Sequence, residues 1–267
     1  MPQVKLSIYS SLFNVKSNKF DYKDFIAHVA AFADEVIIST IKDSDNSAKL
    51  LKSAAKKFPN VEILLTELTP DKPTFDGALK DAALQKCSGN ILLQLDGDER
   101  LGITDRAAWE YYLQLLLESS SFSCIMLPSI NLYKDDEHFS DITYKWYLHK
   151  RGLKRGVVDF AKRPDGTHKI HGDGASDSCE LLDENNRLVK SVQIVPNNNM
   201  ALMDWWKIQD SQSPFIVHHG YKDLDRRAEI NKNFWSKMWE IEDGRPVNLP
   251  ISAEEIRKPW LPLGRKL

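Results

Sequence analysis

The chain has little cysteine, with Cys87, Cys124 and Cys179 the only three in 267 residues. Their number is odd and their spacing wide. That excludes a disulfide framework and a zinc-ligand pattern, and a reducing compartment is the simplest setting. No apolar run is long enough to cross a membrane, and Met1 to Ser11 alternates without the apolar core of a signal peptide. Charge of one sign is also missing: 36 basic against 38 acidic residues leave a formal net charge of -2. A chain so balanced has no global basic field to gather nucleic acid. Its nearest local cluster, Lys150-Arg151-Gly152-Leu153-Lys154-Arg155, reads as a solvated or phosphate-facing loop. The 12 glycines form no Gly-x-Gly-x-x-Gly after the first strand and no Walker loop, which excludes the dinucleotide and P-loop modes of binding. Internal repeats and low-complexity segments are absent too. What remains, at 42% hydrophobic and 28% charged residues, is a cytoplasmic globular protein with room for one large domain or two small ones.

One stretch stands out, Ile91-Leu92-Leu93-Gln94-Leu95-Asp96-Gly97-Asp98-Glu99-Arg100. Its nearly continuous apolar run has the length of a strand buried on both faces of a parallel sheet. The run ends in three carboxylates within four residues. At the end of a strand these would repel one another unless a cation sat among them, and ligands of open α/β sheets bind at that end. The cation suited to such oxygens is hard, Mg²⁺ or Mn²⁺.

The preceding sequence alternates strand and helix patterns. Strands are expected at 4–10, 34–39, 61–65 and 90–95, and helices at 22–33, 48–58 and 74–86, with Asn46 or Ser47 capping the second helix. This order gives a right-handed, parallel βαβ arrangement. After Arg100 the pattern changes. A helix is expected at 109–117, two short strands on either side of Pro128 and Ser129, a loop-rich stretch from 134 to 199, a strand at 215–221 and a helix at 225–240. A proline-bearing tail from Asp243 should wrap the surface.

In this order the chain resembles the glycosyltransferase family 2 group, built on the GT-A fold. The resemblance is carried by the first strand with Ser10-Ser11, by Asp34-Glu35-Val36-Ile37-Ile38, by Asp76-Gly77-Ala78-Leu79-Lys80, by Leu93 to Glu99 and by His218-His219-Gly220-Tyr221. It implies a single α/β domain over 1–267, with a nucleotide-sugar-binding half at 1–105, an acceptor half at 106–242 and a tail at 243–267. It also implies a nucleotide-sugar donor (UDP-sugar first, GDP- or dTDP-sugar next) and a divalent metal. Asp96 would lie near ribose and metal, Asp98 would ligate the metal, and His218 or His219 would add a ligand. Only one of the two histidines should reach it, since neighbours on a strand face opposite ways, and the family pattern favours His218. Ser10, Ser11, Thr40, Asp45, Asp76, Lys80 and Gly97 complete the expected donor site. Asp45 or Asp43 would stand in for the base-reading acid that relatives carry directly after the second strand.

On the acceptor side, Glu99 either meets the acceptor or opens a helix, and Trp146, Tyr147, Trp205 and Trp206 offer flat faces to sugars. An inverting transfer needs a carboxylate to take the acceptor's proton; the candidates are Asp177, then Asp173, then Glu180. The acceptor would be a glycan or a lipid-linked sugar, the latter bringing the protein to a membrane surface. Two other readings stay open. The chain also resembles haloacid-dehalogenase phosphatases through Asp96-Gly97-Asp98 and Gly172-Asp173-Gly174-Ala175-Ser176-Asp177, although no strand is expected to lead into Gly172. A non-catalytic binder of sugar nucleotides is the third.

Overall fold

The computed structural model describes residues 3–42, 45–68, 75–159, 169–172, 180–185, 187–193, 201–232, 252–256 and 261–263. By its contacts the chain divides into two units. One comprises residues 1–97, 110–126 and 146–192, and the other residues 98–109, 127–145 and 193–267.

The first unit opens with β1 (Leu6–Ser11), α1 (Tyr22–Phe32), β2 (Glu35–Ile41), α2 (Ser47–Ala55), β3 (Val61–Thr66), α3 (Phe75–Lys86) and β4 (Ile91–Gln94). Its strands lie in the order β3-β2-β1-β4, all parallel, with Tyr9 of β1 between Ile37 of β2 and Gln94 of β4. The α/β class expected from the alternation is the class observed. β1 is central and every one of its residues is buried, as a strand covered on both faces must be. α1 turns Phe25, Ile26, Val29 and Phe32 inward at helical spacing, and Asp21 caps it by accepting from the Asp24 N–H at 3.2 Å. α3 closes the other face over Tyr9, Ile37 and Leu92 through Ala83, Leu84 and Cys87.

The remaining elements are β5 (Glu99–Leu101), α4 (Arg106–Glu118), β6 (Cys124–Tyr133), β7 (His138–Lys150), β8 (Lys154–Asp159), β9 (Lys169–Gly172), β10 (Glu180–Leu182), β11 (Ser191–Gln193), α5 (Ala201–Ser211), β12 (Ile216–Tyr221), α6 (Leu224–Ile230) and β13 (Leu261–Pro262). In the first unit the end of β7 runs antiparallel to β4, and β10, β8 and β9 form a small antiparallel sheet. In the second unit β12 lies between β6, parallel to it, and β5, antiparallel to it. A core of Ile130, Leu132, Phe139, Trp205, Ile208, Phe215, Val217 and Leu263 fills this unit.

Four expectations are corrected. β6 runs unbroken through Pro128; its pairing with β12 starts only at Ser129, so the missing N–H removes no bond to that neighbour. Among its described residues, the stretch from 134 to 199 is rich in strand instead of loop. It holds the 13-residue β7 and four further strands, because Phe139, Ile142, Thr143, Tyr144 and Tyr147 favour extended backbone although polar residues interrupt them. A strand, β9, does lead into Gly172. The tail is more than a surface wrap: β13 pairs with the start of β7, and Ile256 and Leu263 are buried. The helix expected over 225–240 is present as α6 from Leu224 to Ile230; residues 233–240 lie outside the described residues.

Candidate functional site

The first unit gathers one polar cluster at the carboxyl end of its parallel strands. Asp76 and Lys80 stand one turn apart on α3, on the same helix face, and Lys80 Nζ lies 3.0 Å from Asp76 Oδ2. The same ammonium lies 2.8 Å from Asp96 Oδ1, just beyond the end of β4. Ser11 Oγ donates to Asp76 Oδ1 at 2.7 Å, and Gln94 Nε2 donates to Asp96 Oδ1 at 3.1 Å. Lys80 is only 4% exposed. A buried ammonium needs such partners, since an unpaired charge there is strongly destabilising. The carboxylate oxygens of the cluster are acceptors suited to ligand hydroxyls.

Not every expected donor residue joins this cluster. Ser10 and Thr40 lie on the opposite face of the strands from Ser11 and Ser39, because side chains alternate and Ser10 registers with Ile38. Both are fully buried, and their hydroxyls have no hydrogen-bond partner. Asp45 binds within the chain: it accepts from the N–H groups of Lys16 at 3.1 Å and Ser17 at 2.9 Å. It also accepts from the Ser47 N–H at 3.0 Å and from the Ser47 hydroxyl. It is therefore Asp45, rather than Asn46 or Ser47, whose side chain holds the start of α2; Asn46 takes the left-handed conformation with φ 63° and makes no side-chain cap. Gly97 is buried, and a Cβ on it would come within 2.3 Å of Leu12 Cδ2.

The second cluster belongs to the second unit, which starts at Asp98. Strand register builds it: His218 of β12 pairs with Asn131 of β6 on one side and with Glu99 of β5 on the other. Side chains of directly paired residues share a face, so the three form a row. His218 Nδ1 lies 2.7 Å from Asn131 Oδ1, and His218 Nε2 lies 3.5 Å from Asp98 Oδ2. The side chains of His218 and Asp98 are 14% and 16% exposed. Gly220 leaves the space beside them clear: a Cβ there would lie 2.5 Å from His218 Nε2 and 3.2 Å from Asp98 Oδ2.

The charges of this cluster are set by burial and by its partners. Burial pushes the Asp98 carboxyl up, but His218, Arg227 and Arg226 outweigh it and hold Asp98 well below the usual carboxylate range. Burial pushes His218 down, and Asp98 outweighs it, so the imidazole is raised. His219 faces differently. Burial, then Arg100 and Lys222, push it down to about 4, while its backbone N–H donates to the Asp98 carbonyl at 2.8 Å. Arg227 lies over the Tyr221 ring, 5.0 Å from its centroid.

On the acceptor side, Glu99 begins β5 instead of a helix. It is fully buried, with Oε1 3.2 Å from Lys145 Nζ. Trp205 is 0% exposed; it packs between Phe139 and Phe215 and donates its indole N–H to the Leu263 carbonyl at 2.8 Å. Such a position leaves no ring face for a sugar. Asp173 and Asp177 lie outside the described residues, as do the side chains of Glu180 and Trp146. Sequence reasoning missed Asn131 and Lys145, and had no role for Gly220. No local signal marks the first two, whose neighbours are set by strand register.

A divalent cation can be tested against these residues. No group of three or more His, Cys, Asp or Glu side chains placed to hold a metal occurs among the described residues. A hard octahedral ion such as Mg²⁺ does not need one, since it keeps waters and takes one or two carboxylates plus substrate phosphates. Asp98, His218 and the space kept by Gly220 fit that mode. The phosphatase alternative fits poorly: Asp96, its nucleophile, is ion-paired to Lys80, and β9, which precedes Gly172, belongs to the small antiparallel sheet and not to the parallel one. No helix among the described residues is long and apolar enough to cross a membrane.

The sequence matches no family model and no curated protein. Solved structures similar to parts of it include these three. TarS 1–349 of S. aureus is 12% identical with a TM-score of 0.37, over 55% of this chain and 47% of that one. The mannosyltransferase PcManGT of Pyrobaculum calidifontis, in complex with GDP-Man and Mn²⁺, is 11% identical with a TM-score of 0.38, over 48% and 36%. The glucosyl-3-phosphoglycerate synthase of Mycobacterium tuberculosis, with Mn²⁺, UDP and phosphoglyceric acid, is 15% identical with a TM-score of 0.33, over 48% and 43%. The chain thus spans less than half the length of each of these proteins.

Proposed function

We propose that the chain is a metal-dependent glycosyltransferase. It moves a sugar from a nucleoside-diphosphate donor, UDP-sugar first and GDP- or dTDP-sugar next, to a hydroxyl of a glycan or lipid-linked acceptor, with inversion. The observation that carries this reading is the meeting of Asp98 with His218, far apart in sequence, beside the space kept by Gly220. Asp98 and His218 would hold Mn²⁺ or Mg²⁺. When bound, such an ion supplies Lewis-acid stabilisation for the negative charge of a departing nucleoside diphosphate.

The chain's own groups take the other roles. Ser11, Asp76, Lys80 and Asp96 offer fixed acceptors and donors to the nucleoside, and Lys80 holds Asp96 in place. Because Asp96 is already ion-paired to Lys80, the metal role falls first to Asp98. Glu99, ion-paired to Lys145, braces β5 next to His218 in place of touching the acceptor. The proton of the attacking hydroxyl goes to Asp177, Asp173 or Glu180, in that order.

The test is a panel of UDP-, GDP-, CMP- and dTDP-sugars with Mn²⁺, scored for donor hydrolysis. Wild-type protein should turn over one of them, and Asp98→Ala should lower that rate by roughly 10³-fold, the several kcal/mol that a metal contributes to charge stabilisation. An unchanged rate in the variant would remove the metal assignment.

A further inference from the structure

A histidine offers a lone pair to a cation from one ring nitrogen only when the proton sits on the other, so whatever bonds the second nitrogen decides which one is offered. At His218 that partner is built into the sheet. His218 and Asn131 are paired residues of the parallel strands β12 and β6, so their side chains leave the sheet on the same face. Asn131 is 5% exposed. Its amide oxygen, 2.7 Å from His218 Nδ1, can only accept, which assigns the proton to Nδ1. The ring then turns Nε2 toward Asp98 Oδ2, 3.5 Å away, where a proton shared with Asp98 leaves when a cation binds.

We infer that Asn131 is a positioning residue: it fixes the His218 ring with Nδ1–H toward β6 and Nε2 toward Asp98, and so completes the cation seat before a cation arrives. The inference rests on the reading of Asp98 and His218 as metal ligands, and it adds a residue that touches neither donor nor metal. Gly220 has a separate part. It leaves the volume beside Nε2 open, since a Cβ there would lie 2.5 Å from that nitrogen.

Three variants of the full chain separate these parts. Asn131→Leu keeps the approximate volume and cannot accept a hydrogen bond, Asn131→Asp keeps the acceptor, and Gly220→Ala fills the open volume. The first readout needs no metal and no activity: long-range ¹H–¹⁵N spectra of the imidazoles report which nitrogen of His218 is protonated. In the neutral ring, wild type and Asn131→Asp should keep the proton on Nδ1, and Asn131→Leu should lose that preference. The second readout is Mn²⁺ alone, titrated and followed by the electron-spin signal of the free ion. Asn131→Leu should weaken binding about 10- to 100-fold, as loss of a partner that orients a ligand does. Asn131→Asp should stay within a few-fold of wild type, and Gly220→Ala should bind poorly.

A wild-type His218 protonated on Nε2 and bare on Nδ1 overturns the inference whatever the metal does. Wild-type affinity in Asn131→Leu, alongside lost affinity in Asp98→Ala, overturns the role of Asn131 and leaves the metal site standing. Wild-type affinity in Asp98→Ala overturns the metal reading itself. If Asn131→Leu fails to fold by circular dichroism, Asn131→Ser takes its place, its shorter hydroxyl failing to reach Nδ1 and losing the same preference.

Discussion

Glu35 shows how a single carboxylate is tuned in this molecule. It accepts from the Ser7 hydroxyl, from the Ser88 N–H at 2.7 Å and from the Ser88 hydroxyl at 2.6 Å. Burial pushes its pKa up, and these bonds together with Lys5 outweigh burial and lower it. A carboxyl that binds its proton more weakly folded than unfolded stabilises the fold fully above the unfolded value, about 4.3. That contribution is lost as pH falls through the lower, folded value. Glu35→Gln should therefore be less stable than wild type in urea at neutral pH, and the gap should narrow below roughly pH 4. A gap that widened in acid would reverse the sign assigned to this residue. At the same scale, the carboxylates of the acidic motif were legible as charges needing compensation, but their partners were not. Asp96 meets Lys80 and Asp98 meets His218; the motif's own residues do not say that one acid takes a lysine and the other a histidine.

At the scale of the element, period and cap explain what could be read. The helical spacing of Phe25, Val29 and Phe32 places α1, and the apolar run Ile91 to Leu93 places β4. Each such signal lies within one segment of chain. β7 was hidden because Asp141, Lys145 and His149 break its apolar pattern, although Tyr147, Leu148 and His149 are all buried. His149 is accommodated by the Tyr9 hydroxyl, 2.9 Å from Nε2, a contact no local rule anticipates. The tryptophans of α5 make the same point. Trp205 and Trp206 are neighbours in sequence, yet one is 0% and the other 55% exposed, since adjacent positions on a helix point about 100° apart. Trp205→Ala should cost about 3–5 kcal/mol, as large core truncations do, whereas Trp206→Ala should stay within roughly 0.5 kcal/mol of wild type. Chemical denaturation of the two variants checks this; equal losses would contradict the core position of Trp205. Trp206, the exposed one of the pair, is the ring with a face to offer a ligand.

At the scale of the molecule, the proposed function makes a prediction about stability. A ligand that binds only the folded state raises its apparent stability by mass action, by roughly 2.7 kcal/mol when present at a hundred times its dissociation constant. With Mn²⁺ present, the correct nucleotide sugar should raise the melting temperature of the full chain, and the same donor should raise it less in Asp98→Ala. Scanning calorimetry over the donor panel measures both; an equal rise in the variant would detach donor binding from Asp98. The sequence by itself determined the alternation of strand and helix, the buried parallel sheet and the position of the acidic motif at a strand end. These follow from hydrophobic period and run length, which neighbouring residues decide among themselves. Only the tertiary structure decided that Asn131, His218 and Glu99 form one row, that Lys80 answers Asp96, and that Trp205 is core. The row depends on which strands pair and in what register, and a shift of one residue would turn its side chains to the other face; the other two depend on how α3 and α5 pack.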